Sequence, residues 1–109
     1  MRNWFASLTI LLASLLPGAA IADPYVGSFA GELDGKRYAL SIDWVSASTY
    51  DGILQVDGSP MQFDARRYGE RMGGRVADET QQFRFRARIE GSLLVIEIED
   101  GRRLVLRRQ

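Results

Sequence analysis

Apolar and polar residues alternate at every second position through most of the chain, and this pattern limits the possible folds more than any other feature. It is clearest over residues 38–44, 83–89 and 94–99. Because successive side chains of a strand point to opposite faces, each segment presents one apolar and one polar face. From residue 23 onward, no window has the 3.6-residue spacing of an amphipathic helix. The sequence therefore predicts an all-β protein.

Short turn sequences separate the alternating segments. Asp34-Gly35, Asp57-Gly58, Glu90-Gly91 and Asp100-Gly101 each supply residues that tolerate the positive φ angles of tight hairpin turns. We predict short antiparallel strands, joined mostly by hairpins, over residues 25–33, 36–45, 49–56, 61–67, 71–77, 82–89, 93–99 and 102–108.

The turns also predict which residues face each other. A two-residue loop at Glu90-Gly91 places Phe85 opposite Ile96. On the other face of the same two strands it places Arg84 opposite Glu97. The apolar residues then share one side of the sheet, as a buried face requires.

A glycine recurs once per hairpin, in the patterns Tyr25-x-Gly27-x-Phe29, Tyr50-x-Gly52-x-Leu54 and Met72-x-Gly74-x-Val76. Glycine inside a strand indicates a sharp bend or the close packing of a large neighbour. Its repetition predicts a sheet that curls on itself, and full closure removes exposed strand edges. We predict a small up-and-down antiparallel β-barrel of about eight short strands, with a two-layer β-sandwich of the same strands as the alternative.

Residues 1–22 have the features of a cleaved signal peptide. A positively charged start at Met1-Arg2-Asn3 precedes an apolar run from Trp4 to Leu16, which is shorter than the roughly 20 residues that span a bilayer. Ala20-Ile21-Ala22 fits the small-residue cleavage pattern. We predict cleavage after Ala22, a periplasmic or secreted location, and a single all-β domain over residues 23–109.

Composition argues against catalysis. The chain contains no histidine and no cysteine, and Lys36 is its only lysine. The usual proton shuttle and the usual activated nucleophiles are therefore missing, and no disulfide can form. Lys36 is adjacent to a turn and is expected to be solvated, as are the strand carboxylates Glu97 and Glu99. We predict no enzymatic activity, no cofactor and no metal site.

The arginines are unevenly distributed. Residues 23–64 hold seven acidic and two basic residues, whereas residues 65–109 hold seven acidic and eleven basic ones. Five arginines share the outer face of two adjacent predicted strands: Arg71, Arg75, Arg84, Arg86 and Arg88. Guanidinium groups bind carboxylates and phosphates in bidentate fashion. These five residues are our candidate binding site for an anionic partner, and a merely solvated face is the alternative.

The predicted function is that of a small, exported, non-catalytic binding protein that recognises a protein or an anionic envelope component. An inhibitor or an immunity-type protein is one form of this function. The alternative is a carrier that holds a small apolar ligand in an aromatic-lined barrel interior, with Tyr25, Trp44 and Tyr50 as candidate contacts. Tyr25 and Trp44 are expected at the mouth of such a cavity, because they lie far from the Asp34-Gly35 turn.

Charge and patterning also exclude two classes of partner. Without Arg2, the 14 acidic residues face 13 basic ones, so the net charge predicts no nucleic-acid partner. A membrane-spanning barrel needs an apolar outer face, whereas the outer face here is the charged one. We therefore predict no membrane span. The sequence makes no prediction of the oligomeric state.

Overall fold

The computed structural model describes residues 23–109, so the predicted signal peptide lies outside the described residues. These residues form a closed antiparallel barrel of eight strands. The strands are β1 Gly27–Leu33, β2 Lys36–Ser46, β3 Thr49–Val56, β4 Ser59–Tyr68, β5 Arg71–Ala77, β6 Gln82–Glu90, β7 Leu93–Ile98 and β8 Arg103–Arg108. Each strand pairs with the next, and β1 pairs with β8. The predicted barrel is confirmed over the two-layer sandwich.

Two Asp-Gly turns fix the registers at one end of the barrel. Asp34 and Gly35 have φ angles of 53° and 78°, and Asp57 and Gly58 have φ angles of 51° and 86°. Positive φ at both central residues defines the type I′ turn, whose twist matches that of the flanking strands. The Asp34-Gly35 turn therefore sets the predicted pairing of β1 with β2.

The predicted loop between β6 and β7 is wrong by one position. The loop is Gly91-Ser92 rather than Glu90-Gly91, and Gly91 has a φ of 63° at its first central position. A type II′ turn requires this arrangement. Arg86, instead of Arg84, therefore faces Glu97. Because the pairing moves by two residues, every side chain keeps its predicted face.

The inward-facing side chains of all the strands form one apolar core. Within residues 23–109 no polar or charged residue is fully buried, and the large side chains with less than 2% exposure are Tyr25, Phe29, Leu40, Ile42, Tyr50, Phe63, Met72, Leu94, Leu104 and Leu106. Burying one large apolar side chain contributes about 1.5–3 kcal/mol. The core therefore supplies the stability that disulfides provide in many small exported proteins.

Two of the recurring glycines occupy positions where a neighbouring strand leaves no space. A Cβ atom on Gly52 would lie 2.0 Å from the carbonyl oxygen of Ser41, and one on Gly74 would lie 1.9 Å from that of Asp64. Both glycines face the interior, so adjacent backbones approach closely where the sheet curls. The closed barrel that the recurring glycines predicted is confirmed, and the close neighbours at Gly52 and Gly74 are backbone atoms rather than large side chains.

Trp44 is the clearest error in the predicted core. The alternation predicts that Trp44 contributes to the aromatic-lined interior at the mouth of the barrel, but its side chain is 59% exposed. The β2–β3 register shifts between Trp44 and Ser46, and the extra residue, Val45, forms a bulge at the strand end. Tyr25 precedes β1 and therefore has no cross-strand partner on β2.

The seam between β1 and β8 closes the barrel. The two strands share two residue pairs, one of which is Phe29 with Arg108. The Arg108 guanidinium lies 4.6 Å from the centre of the Phe29 ring. It also donates hydrogen bonds to the carbonyl oxygens of Pro24 and Val26. Arg108 therefore anchors the segment before β1 as well as the seam.

Residues 23–26 cross one end of the barrel. Tyr25 is 1% exposed, and its hydroxyl donates a 2.7 Å hydrogen bond to the carbonyl of Glu70 in the β4–β5 turn. Arg108 on β8 holds the same segment from the other side. In a ring of eight strands, β4 and β8 are opposite each other. The segment therefore closes this end, which we call the plugged end; the end with the two Asp-Gly turns is the open end.

A polar cluster fixes the start of this segment. The Tyr50 hydroxyl donates a 2.5 Å hydrogen bond to the Asp23 carboxylate, and Arg67 Nη1 lies 3.5 Å from the other oxygen of that carboxylate. Burial is the main cause that raises the pKa of Tyr50, and Asp23 raises it further. Burial likewise raises the pKa of Tyr25. Ionisation of either hydroxyl is therefore less favourable at this end than in the unfolded chain.

Gly73 and Gly74 are adjacent in β5, but a methyl group added at each should change stability differently. Gly74→Ala should lower the free energy of unfolding by about 1–3 kcal/mol, because overpacking displaces the β4 backbone. Gly73→Ala is the matched control, because its Cβ atom would lie 3.5 Å from the nearest atom, the carbonyl oxygen of Phe85. It should be neutral or stabilising by up to roughly 1 kcal/mol. Urea unfolding of both variants tests this; equal destabilisation would contradict it.

The plugged end predicts a loss of stability in alkaline solution. Unfolded tyrosine ionises near pH 10. Because the folded pKa values of Tyr25 and Tyr50 are raised, their contribution to stability is complete below about pH 10 and is lost as the pH rises above that value. Urea unfolding between about pH 8 and pH 11 should show this decline. Tyr50→Phe should make the decline less steep, whereas Tyr68→Phe, which removes an exposed hydroxyl, should leave it unchanged.

Candidate functional site

The structure brings the five predicted arginines together on the outer face of β5 and β6, which we call the arginine face. Across these strands Arg71 is paired with Arg88, and Arg75 is paired with Arg84. Arg86 is paired with Gly73. Like charges that face each other directly on a sheet are destabilising. The barrel therefore maintains two opposed arginine pairs at a cost to its own stability.

One arginine of this face is neutralised within the barrel. Arg88 Nε lies 2.5 Å from a Glu90 carboxylate oxygen, and the hydrogen bond raises the pKa of Arg88. Arg88 also lies 3.6 Å from Glu97, which Arg103 contacts at 2.9 Å. The hydrogen bond from Arg103 is the main cause that lowers the pKa of Glu97. Glu97 is paired with Arg86 across β6 and β7, but its carboxylate contacts Arg88 and Arg103 instead.

The other four arginines have no such partner. Within residues 23–109, no ion pair within 4.0 Å involves Arg71, Arg75, Arg84 or Arg86. Asp64 is paired with Arg75 across β4 and β5, but the two side chains do not reach each other within that distance. These four guanidinium groups are available to carboxylates or phosphates of another molecule.

A groove of about 870 Å³ runs along the arginine face. Gly73 contributes no side chain, so the groove floor is backbone between the rows of arginines. Five arginines and two carboxylates line the groove: Arg75, Arg84, Arg86, Arg102, Arg103, Glu97 and Glu99. Tyr68, which is 66% exposed, also lines it. The groove combines positive charge with an exposed aromatic ring, a pairing that is common at the centres of protein interfaces.

Two residues that line the groove, Tyr68 and Gly73, were not among the predicted site residues, although the sequence pattern could have indicated both. Tyr68 is an even number of residues from Asp64, so a fourth strand that continued to residue 68 would have placed both on the outer face. The predicted fourth strand ended at residue 67. Gly73 is opposite Arg86 in the β5–β6 register, which leaves space above it.

The barrel interior contains a second candidate site, a cavity of about 400 Å³ at the open end. Tyr38, Met61 and Val76 line it and are each 8% exposed. Toward the plugged end, the large side chains of Tyr25, Tyr50 and Met72 are each 1% exposed. Phe63 and Phe85 stack in the cavity wall with their ring centres 5.0 Å apart. The interior is therefore tightly packed at one end and accessible at the other.

The three aromatic residues predicted as ligand contacts lie away from this cavity. Tyr25 and Tyr50 are buried at the plugged end, and Trp44 is exposed. None of them lines the cavity. The entrance is at the open end because residues 23–26 close the other end, a long-range contact that strand periodicity does not reveal.

The described residues hold no group of three or more acidic, histidine or cysteine side chains that could bind a metal ion. Between residues 23 and 109 there is also no helix long and apolar enough to cross a membrane. The chain matches no protein-family model, no curated protein and no solved structure. A functional proposal therefore depends on the chemistry of the arginine face and the cavity.

The opposed arginines predict an unusual response to charge removal. Arg84→Gln should raise the free energy of unfolding by about 0.2–1 kcal/mol at low salt, because it relieves repulsion with Arg75. The gain should shrink at high salt, where exposed charges are screened. Arg103→Gln is the control: it removes the ion pair with Glu97 and should lower stability by up to about 1 kcal/mol. Equal losses in the two variants, measured by urea unfolding, would show that Arg84 is stabilising instead.

Proposed function

We propose that this protein is an exported, non-catalytic binding protein whose arginine face docks on an acidic surface of a partner protein. The observation that carries the proposal is the group of four arginines that have no ion pair within the described chain. A barrel selected for stability alone would gain by separating these charges. An acidic partner would turn the repulsion into binding energy.

The shape and composition of the face favour a protein over a lipid surface. The groove is concave, with Gly73 in its floor, so protruding carboxylates can enter it whereas the flat plane of a bilayer cannot. Exposed Tyr68 adds apolar contact area beside the charges. Tyrosine and arginine are the residue types most often found in interface hot spots.

The residue composition is compatible with a binding role. The sequence contains no histidine or cysteine to act as a proton shuttle or as a thiol nucleophile. Its only lysine, Lys36, is exposed at the open end of the barrel. The signal-peptide pattern of residues 1–22 supports a periplasmic or secreted location, and an inhibitor or immunity-type protein is one form that the function would take.

The proposal predicts selective loss of binding when two charges are reversed. Arg75→Glu with Arg84→Glu should weaken capture of the partner from an envelope extract at least about tenfold, because each close interfacial charge pair contributes roughly 1.5 kcal/mol or more. High salt should weaken capture by the unmodified protein. The readout is the amount of one partner retained by the immobilised protein.

Arg37→Glu with Arg107→Glu is the matched control. It makes the same change in net charge on exposed residues of β2 and β8, away from the arginine face. Retention of the partner by this variant, with loss in the Arg75/Arg84 variant, would support the proposal. If both variants lose the partner to the same extent, capture depends on net charge alone. Binding to anionic lipid vesicles, with no protein partner, would overturn the choice of partner.

A further inference from the structure

We propose that the interior cavity binds an amphiphile, with its unbranched apolar chain inside the barrel and its carboxylate head at Lys36. This site is separate from the arginine face and does not depend on the function proposed for that face. The proposal rests on the cavity wall, on the rim and on the charges at the entrance.

The cavity is large enough for a ligand and is apolar inside. Its volume of about 400 Å³ lies within the usual range for small-molecule sites, roughly 300–1,000 Å³. A dry apolar cavity of about 150 Å³ is sufficient to hold benzene. Leu54, Met61, Phe63 and Ile96 all line it. An apolar ligand therefore removes hydrocarbon surface from water on both sides of the contact.

Apolar side chains continue to the rim. Val56, Phe83 and Ile98 line the cavity but are only partly buried. These residues therefore leave apolar surface in contact with water at the open end. An alkyl chain that enters there covers them as it passes into the cavity.

The carboxylate of Asp78 lies at the rim and is engaged in hydrogen bonds within its own loop. The Asp78 carboxylate accepts hydrogen bonds from the Thr80 and Gln81 backbone N–H groups, at 2.8 Å and 2.9 Å, and from the Thr80 hydroxyl at 3.0 Å. These bonds lower the pKa of Asp78, with the Thr80 backbone as the largest cause. The carboxylate thus holds its own loop in place and is not oriented toward a cationic ligand.

Cationic groups at the rim favour an anionic head. Arg102 lies 5.2 Å from the centre of the Phe83 ring and forms a 2.8 Å ion pair with Asp100. Lys36, on the same face of β2 as Tyr38, lines the cavity and has no ion pair within the described chain. A carboxylate at the entrance would give its ammonium group a partner. The entrance therefore fits a fatty-acid type of ligand better than a neutral or cationic amphiphile.

Two methionines provide a direct test. Met61 lines the cavity, whereas Met72 is buried and does not line it. In a titration followed by methyl NMR, decanoate should shift the Met61 signal and leave that of Met72 nearly unchanged. 1-Decanol should bind several times more weakly, because it has the same chain length but no charge.

Lys36→Gln should weaken decanoate binding roughly threefold to fivefold, the range expected for an ion pair at an exposed rim, and should leave decanol binding unchanged. Arg37→Gln is the control, because Arg37 is the adjacent residue of β2 and does not line the cavity. It should bind decanoate as the unmodified protein does.

Three results would overturn the proposal. If saturating decanoate leaves the Met61 methyl signal unshifted, the cavity is not the binding site. If the methyl signals of Met61 and Met72 shift equally, decanoate associates unspecifically with the protein. Equal affinity for decanoate and decanol excludes the carboxylate head at Lys36. Because both variants change exposed side chains, folding is not at risk, and reversing the charges of Arg75 and Arg84 leaves this test unaffected.

Discussion

Closure of the sheet is the constraint on which the rest of this structure depends. An open sheet of the same strands would expose two edges and would have no interior. Closure requires strong curvature, which Gly52 and Gly74 permit by letting neighbouring backbones approach where any side chain would collide. It also requires a seam, and β1 and β8 share only two residue pairs there. Arg108 reinforces the seam by binding the segment that precedes β1. The apolar interior and the charged exterior exist as separate surfaces only because this ring is complete.

Both candidate sites are built from the same strands. Along β6, Phe83 and Phe85 line the cavity, while Arg84 and Arg86 line the outer groove. Since a slip of one residue moves every side chain to the opposite face, the register that places the aromatic rings inside also places the guanidinium groups outside. The two surfaces nevertheless differ in chemistry, because apolar side chains line most of the cavity whereas guanidinium groups line the outer groove. A rigid barrel of this size can therefore present two unrelated binding chemistries without a second domain.

Much of this arrangement was predictable from local sequence, and the failures have physical causes. Period-two alternation gave the strands, and Asp34-Gly35 gave a turn that only residues tolerant of positive φ adopt. At residues 90–92 the glycine took the first turn position instead of the second, and alternation is equally satisfied by either choice. Trp44 follows the alternation and pairs with buried Tyr50, but it is the last regular pair before the bulge at the strand end, and its side chain is exposed. The plugged end was not predictable, because the contact of Tyr25 with Glu70 joins residues that are 45 positions apart.

The seam also has a consequence for the order of folding. Phe29 and Arg108, which pair across it, are separated by nearly the whole described chain. The hairpins from β1 to β7 need only neighbouring residues and can form as soon as those residues are available. Closing the barrel, by contrast, brings together the two ends of the chain, and this costs the conformational entropy of a long loop. Non-local pairing of this kind slows folding. The barrel can therefore close only once its last strand is available, and until then nothing completes the cover over the apolar face of the sheet.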